Sequence, residues 1–365
     1  MTWTVSPRQF HQSDYETCID IIQKIYFLHK ETLDKVVLFS AIQELFKDEV
    51  VDVRLLLSSG KLATILSYSL NATATIMGIV GRLKGQEDTG IVAFRGTKLV
   101  TEWLQNADFL VQVDLSKPQP THPYSSVQPQ PLRDFDPSTC PAGTRVVRGL
   151  YTLYTSFSGK KVETQDSRCF CAQKCKKGRC KVVSNASTAK VDKPCKKSGT
   201  VTCSQNKTNA VQDYYDPSLQ DQVLANVREL QSLGVRRWLV TGHSLGASLA
   251  TLCSYHLTKL GFLVYGVYSV ACPRIGNPTF ARDYNTFIPY HYRSANLDDL
   301  VTQLPLPSVG NQLCYTHVGN SQFVFSDITM ALSICDDKDK SLLKDAHSCS
   351  LYALRHFRTK RIVHD

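Results

Sequence analysis

The stretch from Val235 to Ala271 constrains this chain more than any other. Val235 to Thr241 is a short apolar run that reads as a strand, Leu245 to Leu260 reads as a helix, and Phe262 to Ala271 reads as a second strand. Strand, helix and strand within about 35 residues form a βαβ unit, so the fold is α/β with a sheet at least partly parallel. The junction between the first strand and the helix is Gly242-His243-Ser244-Leu245-Gly246, a G-x-S-x-G pattern. Glycines flanking the serine let the backbone turn sharply and leave the serine oxygen exposed above the sheet. The helix that follows offers unpaired N–H groups and a partial positive charge to a developing oxyanion. The bland alternative is a glycine-rich turn with a capping serine. The strand before and the helix after favour a nucleophile.

A serine hydroxyl is a weak nucleophile and needs a base, which in turn needs an orienting group. In α/β-hydrolases the chain order is serine, acid, histidine. Acids after Ser244 include Asp283, Asp298, Asp299, Asp327, Asp336 and Asp337; histidines include His256, His291, His317, His347, His356 and His364. His256 lies three turns along the nucleophile helix and points elsewhere. Asp298 and Asp299 follow a strand-like stretch and suit an acid on a post-strand loop. Spacing alone does not choose the histidine.

Elsewhere, residues 13–47 read as one or two helices, with Ile21, Ile22, Ile25, Phe27 and Leu28, then Val36, Val37, Phe39, Ile42 and Phe46, at helical spacing. Thr75–Val80 and Gly90–Phe94 read as strands. Residues 114–145 hold seven of the fifteen prolines and predict a long irregular loop. Asp216 is a candidate cap and Pro217 a candidate first residue for a helix lined by Leu219, Val223, Val227, Leu230 and Leu233 and stopped by Gly234.

Charge is strongly localised. The 365 residues carry a formal +10, and residues 159–207, with 13 Lys/Arg against 3 Asp/Glu, account for all of it. The remainder is balanced, and 42% hydrophobic with 20% charged residues excludes a collagen, a coiled coil or a generally disordered chain. The same basic segment holds Cys169, Cys171, Cys175, Cys180, Cys195 and Cys203, six of 13 cysteines.

Several blocks, in order, resemble the lipase class 3 family, the fungal-type triacylglycerol lipases of the α/β-hydrolase fold. Val92-Ala93-Phe94-Arg95-Gly96-Thr97 is similar to its oxyanion strand and loop, and Val240 to Ala247 to its nucleophile elbow. Pro273-Arg274-Ile275-Gly276-Asn277 with Phe280, Arg293 with Asp299-Leu300-Val301 and Leu304-Pro305, Tyr315 to Gly319, and His347-Ser348 with Tyr352 are similar to its later blocks. The resemblance implies Ser244 as nucleophile, Asp299 as acid and His347 as base, with backbone N–H groups of Thr97 and Leu245 forming the oxyanion hole. Asp298 competes with Asp299, and His317 or His356 with His347. His243 reads as a structural elbow residue, and Arg95 as a brace for the oxyanion loop. Leu99, Val100, Trp103 and Leu104 share one face of a short helix where the family has its lid. Val147, Leu150 and Asn106 depart from the family pattern near the lid and cleft, which bears on substrate preference.

The implied architecture is a mostly parallel central sheet flanked by helices. Residues 1–62 form an N-terminal helical part, and 63–358 form the catalytic domain. The catalytic domain is interrupted by a Pro-rich loop at 113–145 and a basic Cys-rich insertion at 157–212. The implied activity is hydrolysis of fatty-acyl esters of acylglycerols or phospholipids through an acyl-enzyme, a mechanism that uses no metal or cofactor. The competing readings are a soluble carboxylesterase or feruloyl-type esterase, and a non-catalytic lipid-binding scaffold. The insertion lacks paired C-x-x-C knuckles, so Cys169, Cys171, Cys175 and Cys180 make only a weak zinc pattern. Its charge suits an anionic membrane surface. Nucleic acid is disfavoured, because Phe170 is the one aromatic residue of 159–207. Met1 to Lys30 shows no secretory pattern, and the longest uncharged run, Trp238 to Thr258, carries the elbow, so the expectation is an intracellular chain without a membrane span.

Overall fold

The computed structural model describes residues 11–30, 42–59, 74–96, 111–121, 129–156, 158–163, 179–180, 193–194, 211–296, 299–309, 313–319, 321–325, 347–349, 352 and 361–363. The chain divides into two compact units, one of residues 1–158 and 216–365, the other of 159–215.

The larger unit is built on an eight-stranded sheet. Its strands are β1 (Val50–Ser59), β2 (Ala74–Leu83), β3 (Thr89–Phe94), β4 (Arg237–His243), β5 (Val264–Val270), β6 (His291–Asn296), β7 (Ser321–Phe325) and β8 (Arg361–Val363). They lie side by side in chain order. β3 to β7 are mutually parallel, with Val240 opposite Val92 and Gly242 opposite Phe94 and Ser269. β1, β2 and β8 extend the two edges antiparallel.

The central strands β3 to β6 are buried almost without interruption because both faces are covered. Alternate side chains enter different cores. Ile91, Ala93 and Leu239 join a cluster with Ile21, Ile22 and Ile25 of helix α1 (Gln12–Lys30). Val92, Phe94 and Val240 join a larger one with helices α2 (Arg148–Thr155), α3 (Leu219–Ser232), α4 (Leu245–Lys259) and α5 (Pro278–Phe287).

Helix α1 buries Ile21, Ile22, Ile25 and Leu28 as the spacing predicts, but Phe27 is exposed. Val36, Val37 and Phe39 lie outside the described residues. At α3 the cap is Ser218, not Asp216. The Ser218 hydroxyl accepts from the Asp221 N–H and donates to the Asp221 carboxylate, while Asp216 ends the preceding strand. Leu233 sits past the last helical turn and is exposed, and Gly234 follows at φ 109°. The Pro-rich stretch is more ordered than a loop reading implies. Its ends pair as an antiparallel ladder, Gln112–Asp114 against Arg145–Val147, and Pro137–Thr139 form a 3-10 turn capped by Asp136.

The smaller unit carries two two-stranded ladders, Ser158–Glu163 with Val211–Asp216 and Arg179–Cys180 with Lys193–Pro194. Cys169, Cys171 and Cys175 lie outside the described residues, and only the backbone of Cys180 is described. Among the described residues no cluster of His, Cys, Asp and Glu is arranged to hold a metal, and no helix is long and apolar enough to cross a membrane.

Candidate active site

The elbow is tight for reasons written in its glycines. A Cβ on Gly242 would lie 2.2 Å from the Gly246 carbonyl oxygen, and one on Gly246 would lie 2.5 Å from the carbonyl oxygens of Phe94 and Arg95. Any larger residue would push α4 off β3 and β4. Ser244 between them takes φ 58° and ψ −123°, a conformation that costs a non-glycine residue about 1–3 kcal/mol. Its N–H donates to the Val270 carbonyl at the end of β5, and its own carbonyl begins the hydrogen bonding of α4. Among the described residues, buried Ser244 Oγ has no hydrogen-bond partner. The Leu245 N–H opens the helix, where no intrahelical carbonyl can reach it.

The candidate acid stands three residues beyond β6. Asp299 is 1% exposed, and His347 Nδ1 lies 2.8 Å from its Oδ2 and 3.0 Å from its Oδ1. The Val301 N–H donates to Oδ1 at 3.0 Å, and the Tyr352 hydroxyl donates to Oδ2 at 2.8 Å. The Tyr352 oxygen in turn accepts the Asn296 N–H. Burial, with the Asp299 carboxylate next in weight, holds the Tyr352 phenol far above its ordinary range, so it remains a donor. Arg274 fixes the same loop from outside, through its N–H to the Leu304 carbonyl and its guanidinium to the Pro305 carbonyl. With Nδ1 engaged, His347 presents Nε2, which is buried and, like Ser244 Oγ, has no hydrogen-bond partner among the described residues.

The competing candidates stand differently. His317 Nε2 is bonded to the Thr302 carbonyl, and burial lowers its pKa to about 2, with Arg293 and Arg274 adding to the effect. His256 faces Tyr154 and the Arg133 carbonyl, and burial lowers its pKa to about 4. His291 bonds Ser269 within the sheet, and burial lowers its pKa to about 3. Asp298, His356, Thr97 and the lid candidates Leu99, Val100, Trp103 and Leu104 lie outside the described residues.

Arg95 braces the loop ahead of Thr97. Wholly buried, its guanidinium donates to the carbonyls of Ile76 and Gly96 and to the Thr75 hydroxyl, and burial lowers its pKa to about 10. One participant had no signal in the sequence. Tyr26, on α1, accepts the Gly96 N–H at 2.8 Å and lies 2.9 Å from His243 Nδ1. It falls among core residues at helical spacing, and nothing local separates it from them.

A strained serine on a strand-to-helix elbow, and a carboxylate–imidazole pair whose ring packs 4.8 Å from that of His243, the residue before the serine, thus stand on a mostly parallel sheet of α/β-hydrolase type. The family described as lipase (class 3) matches residues 91–309, well over half of the chain. The chain belongs to the class 3 lipase family. Curated relatives include a secreted mono- and diacylglycerol lipase A of Penicillium cyclopium, 32% identical over 33% of this chain and 38% of the relative. Another is phospholipase A1-II 5 of Oryza sativa subsp. japonica, 38% identical over 28% of this chain and 24% of the relative. The chain thus matches well under half the length of either. A solved triacylglyceride lipase of Rhizomucor miehei aligns over 94% of this chain and 98% of that one, at 17% identity and a TM-score of 0.48. The expectation of an intracellular chain is corrected. Matching lipases of Penicillium cyclopium and Fusarium solani are named as secreted, which points to an extracellular location. The sequence expectation rested on a pattern missing from the first thirty residues, and that is no test of compartment.

Proposed function

We propose that the protein is an extracellular serine ester hydrolase cleaving fatty-acyl esters of acylglycerols or phospholipids. One observation carries the reading. Ser244 Oγ on its strained elbow and Nε2 of the Asp299-held His347 are both buried and, among the described residues, both without a partner. Burying two polar atoms unpaired costs roughly 1–3 kcal/mol each, a cost expected where a reacting group is to be received.

In the proposed mechanism Ser244 attacks the ester carbonyl and His347 Nε2 takes its proton. Asp299 keeps the remaining imidazole proton on Nδ1 and stabilises the imidazolium. The Leu245 N–H, with that of Thr97, holds the tetrahedral oxyanion, each donor being worth about 3 kcal/mol. His347 then protonates the leaving alcohol, and water releases the fatty acid by the same route. Membrane contact through the basic residues 159–207 is part of the proposal, supported by their net charge.

The test compares emulsified triacylglycerol, monoacylglycerol, phospholipid vesicles and short soluble esters, using wild type and Ser244→Ala. Hydrolysis of long-chain esters that disappears in the variant is the expected result. Equal rates in both proteins overturn the serine mechanism, and activity limited to short soluble esters overturns the lipid substrate. Deleting 159–207 is expected to weaken binding to anionic vesicles and to leave short-ester hydrolysis in place; unchanged, salt-independent binding overturns the membrane role.

A further inference from the structure

The hydrogen bonds around His243 have a single consistent polarity. His243 Nε2 lies 2.8 Å from the backbone carbonyl oxygen of His347. A carbonyl only accepts, so Nε2 bears the proton. The ring is 3% exposed and packs 4.8 Å, centroid to centroid, from the His347 ring. Burial first, then the neighbouring His347, hold its pKa well below the ordinary value, so it is neutral and Nδ1 is bare. Nδ1 must then accept, and the group 2.9 Å away is the Tyr26 hydroxyl, which donates. The Tyr26 oxygen keeps a lone pair free and takes the Gly96 N–H at 2.8 Å. The result is one directed chain from Gly96 N–H to Tyr26 O–H to His243, and from His243 Nε2–H to the His347 carbonyl.

Each link touches the neighbour of a group in the proposed mechanism. Gly96 precedes Thr97 on the oxyanion loop, His243 precedes Ser244, and the last acceptor is the backbone of His347 itself. Space enforces the same closeness. A Cβ on Gly96 would lie 2.5 Å from the Tyr26 hydroxyl and 2.8 Å from both the His243 carbonyl oxygen and Ser244 Cβ. Asp299 fixes the imidazole of His347 at Nδ1, while His243 fixes its backbone.

We propose that Tyr26 and His243 are positioning residues that hold the oxyanion loop, the nucleophile elbow and the base in one register. The inference rests on Ser244 and His347 being the reacting pair, so its test keeps the two questions apart. A p-nitrophenyl alkylphosphonate is added to wild type, to Ser244→Ala and to His347→Ala. Labelling of the wild type, absent in Ser244→Ala and strongly slowed in His347→Ala, upholds the reacting pair whatever Tyr26 does.

Tyr26→Phe keeps the ring and removes the hydroxyl. Its kcat on a soluble ester is expected to fall roughly 10- to 100-fold with KM within about twofold, since displacement of reacting groups by under an ångström has effects of that size. The phosphonylation rate of Ser244 should fall in parallel. Tyr26→Phe and His243→Gln combined should lose no more than the worse single variant, because both cut one chain. A Tyr26→Phe kcat within twofold of wild type, or losses that multiply in the double variant, overturns the proposal. The wild type gives an answer even where a variant does not fold. Nitrogen-15 NMR of the histidine rings should find the His243 proton on Nε2, and a proton on Nδ1 overturns the directed chain.

Discussion

His347 Nδ1 lies 2.8 Å from Asp299 Oδ2, and the same oxygen takes the Tyr352 hydroxyl at 2.8 Å, so carboxylate, imidazole and phenol form one buried cluster. The carboxylate is ordered on three sides, by His347, by Tyr352 and by the Val301 N–H. Asp299→Asn preserves this shape but removes the charge that stabilises an imidazolium and can impose the wrong tautomer. Its kcat on a soluble ester should fall about 10⁴-fold with little change in KM. Tyr352→Phe leaves the carboxylate in place but removes its phenol donor and the oxygen that accepts the Asn296 N–H, and should cost about 1–2 kcal/mol in denaturant unfolding. Comparable activity in Asp299→Asn and wild type would remove Asp299 from the mechanism.

The elbow glycines separate packing from flexibility. Gly246→Ala drives a Cβ into the carbonyls of Phe94 and Arg95, backbone atoms that have nowhere to move. It should destabilise by about 3 kcal/mol or more. Gly266→Ala, on β5 of the same sheet, meets the end of the Leu239 side chain at 3.4 Å and the Tyr268 ring at 3.6 Å, ordinary contact distances, and should stay within about 1 kcal/mol of wild type. Urea unfolding of both variants checks the contrast, and equal losses would contradict the close approach of α4 to β3.

Acid should destabilise the fold through its buried histidines. Burial lowers the His256 pKa from 6.5 to about 4, so between those values the unfolded chain binds a proton that the folded chain refuses. The contribution, on the order of 3 kcal/mol, is complete above about pH 6.5 and is lost as pH falls toward 4. His256→Gln removes this share. The stability difference between wild type and variant should therefore shrink from pH 7 to pH 4, and a constant difference would contradict the buried neutral ring.

A second buried charge pair anchors α5 to α4 apart from Ser244, Asp299 and His347. Lys259 Nζ lies 2.9 Å from Asp283 Oδ2 and 2.9 Å from the Thr139 carbonyl, with side-chain exposures of 4% and 7% for the pair. The Tyr255 hydroxyl donates to the same carboxylate oxygen and lies 3.0 Å from Cys140 Sγ. Asp283→Ala strands a buried ammonium and should cost about 3–5 kcal/mol. Adding Lys259→Met should recover much of that loss. Ester hydrolysis per folded molecule should be unchanged, and no gain in the double variant would contradict the pairing.

How much of this was legible beforehand depended on the range of the interaction. The βαβ unit and the elbow are local: apolar runs define β4, α4 and β5, and the two glycines bracket Ser244. The assignment of Asp299 and His347 comes through resemblance, because they stand 48 positions apart in the chain and no local signal marks their contact. Tyr26 was invisible for the same reason. It lies 70 residues from Gly96 and 217 from His243, on a helix whose pattern announces only a buried face. Asp216 was misread as a cap because Asp and Ser serve equally well there. Ser218 prevails because it forms the reciprocal pair with Asp221.

The central claim is that Ser244 is the nucleophile of an ester hydrolase. The most direct measurement is mass spectrometry of peptides after treatment with a p-nitrophenyl alkylphosphonate, alongside residual ester hydrolysis. One phosphonyl group on Ser244, one equivalent of nitrophenolate released and matching loss of activity are predicted. Full loss of hydrolysis with the label on another residue, or hydrolysis that survives complete labelling of Ser244, would contradict it.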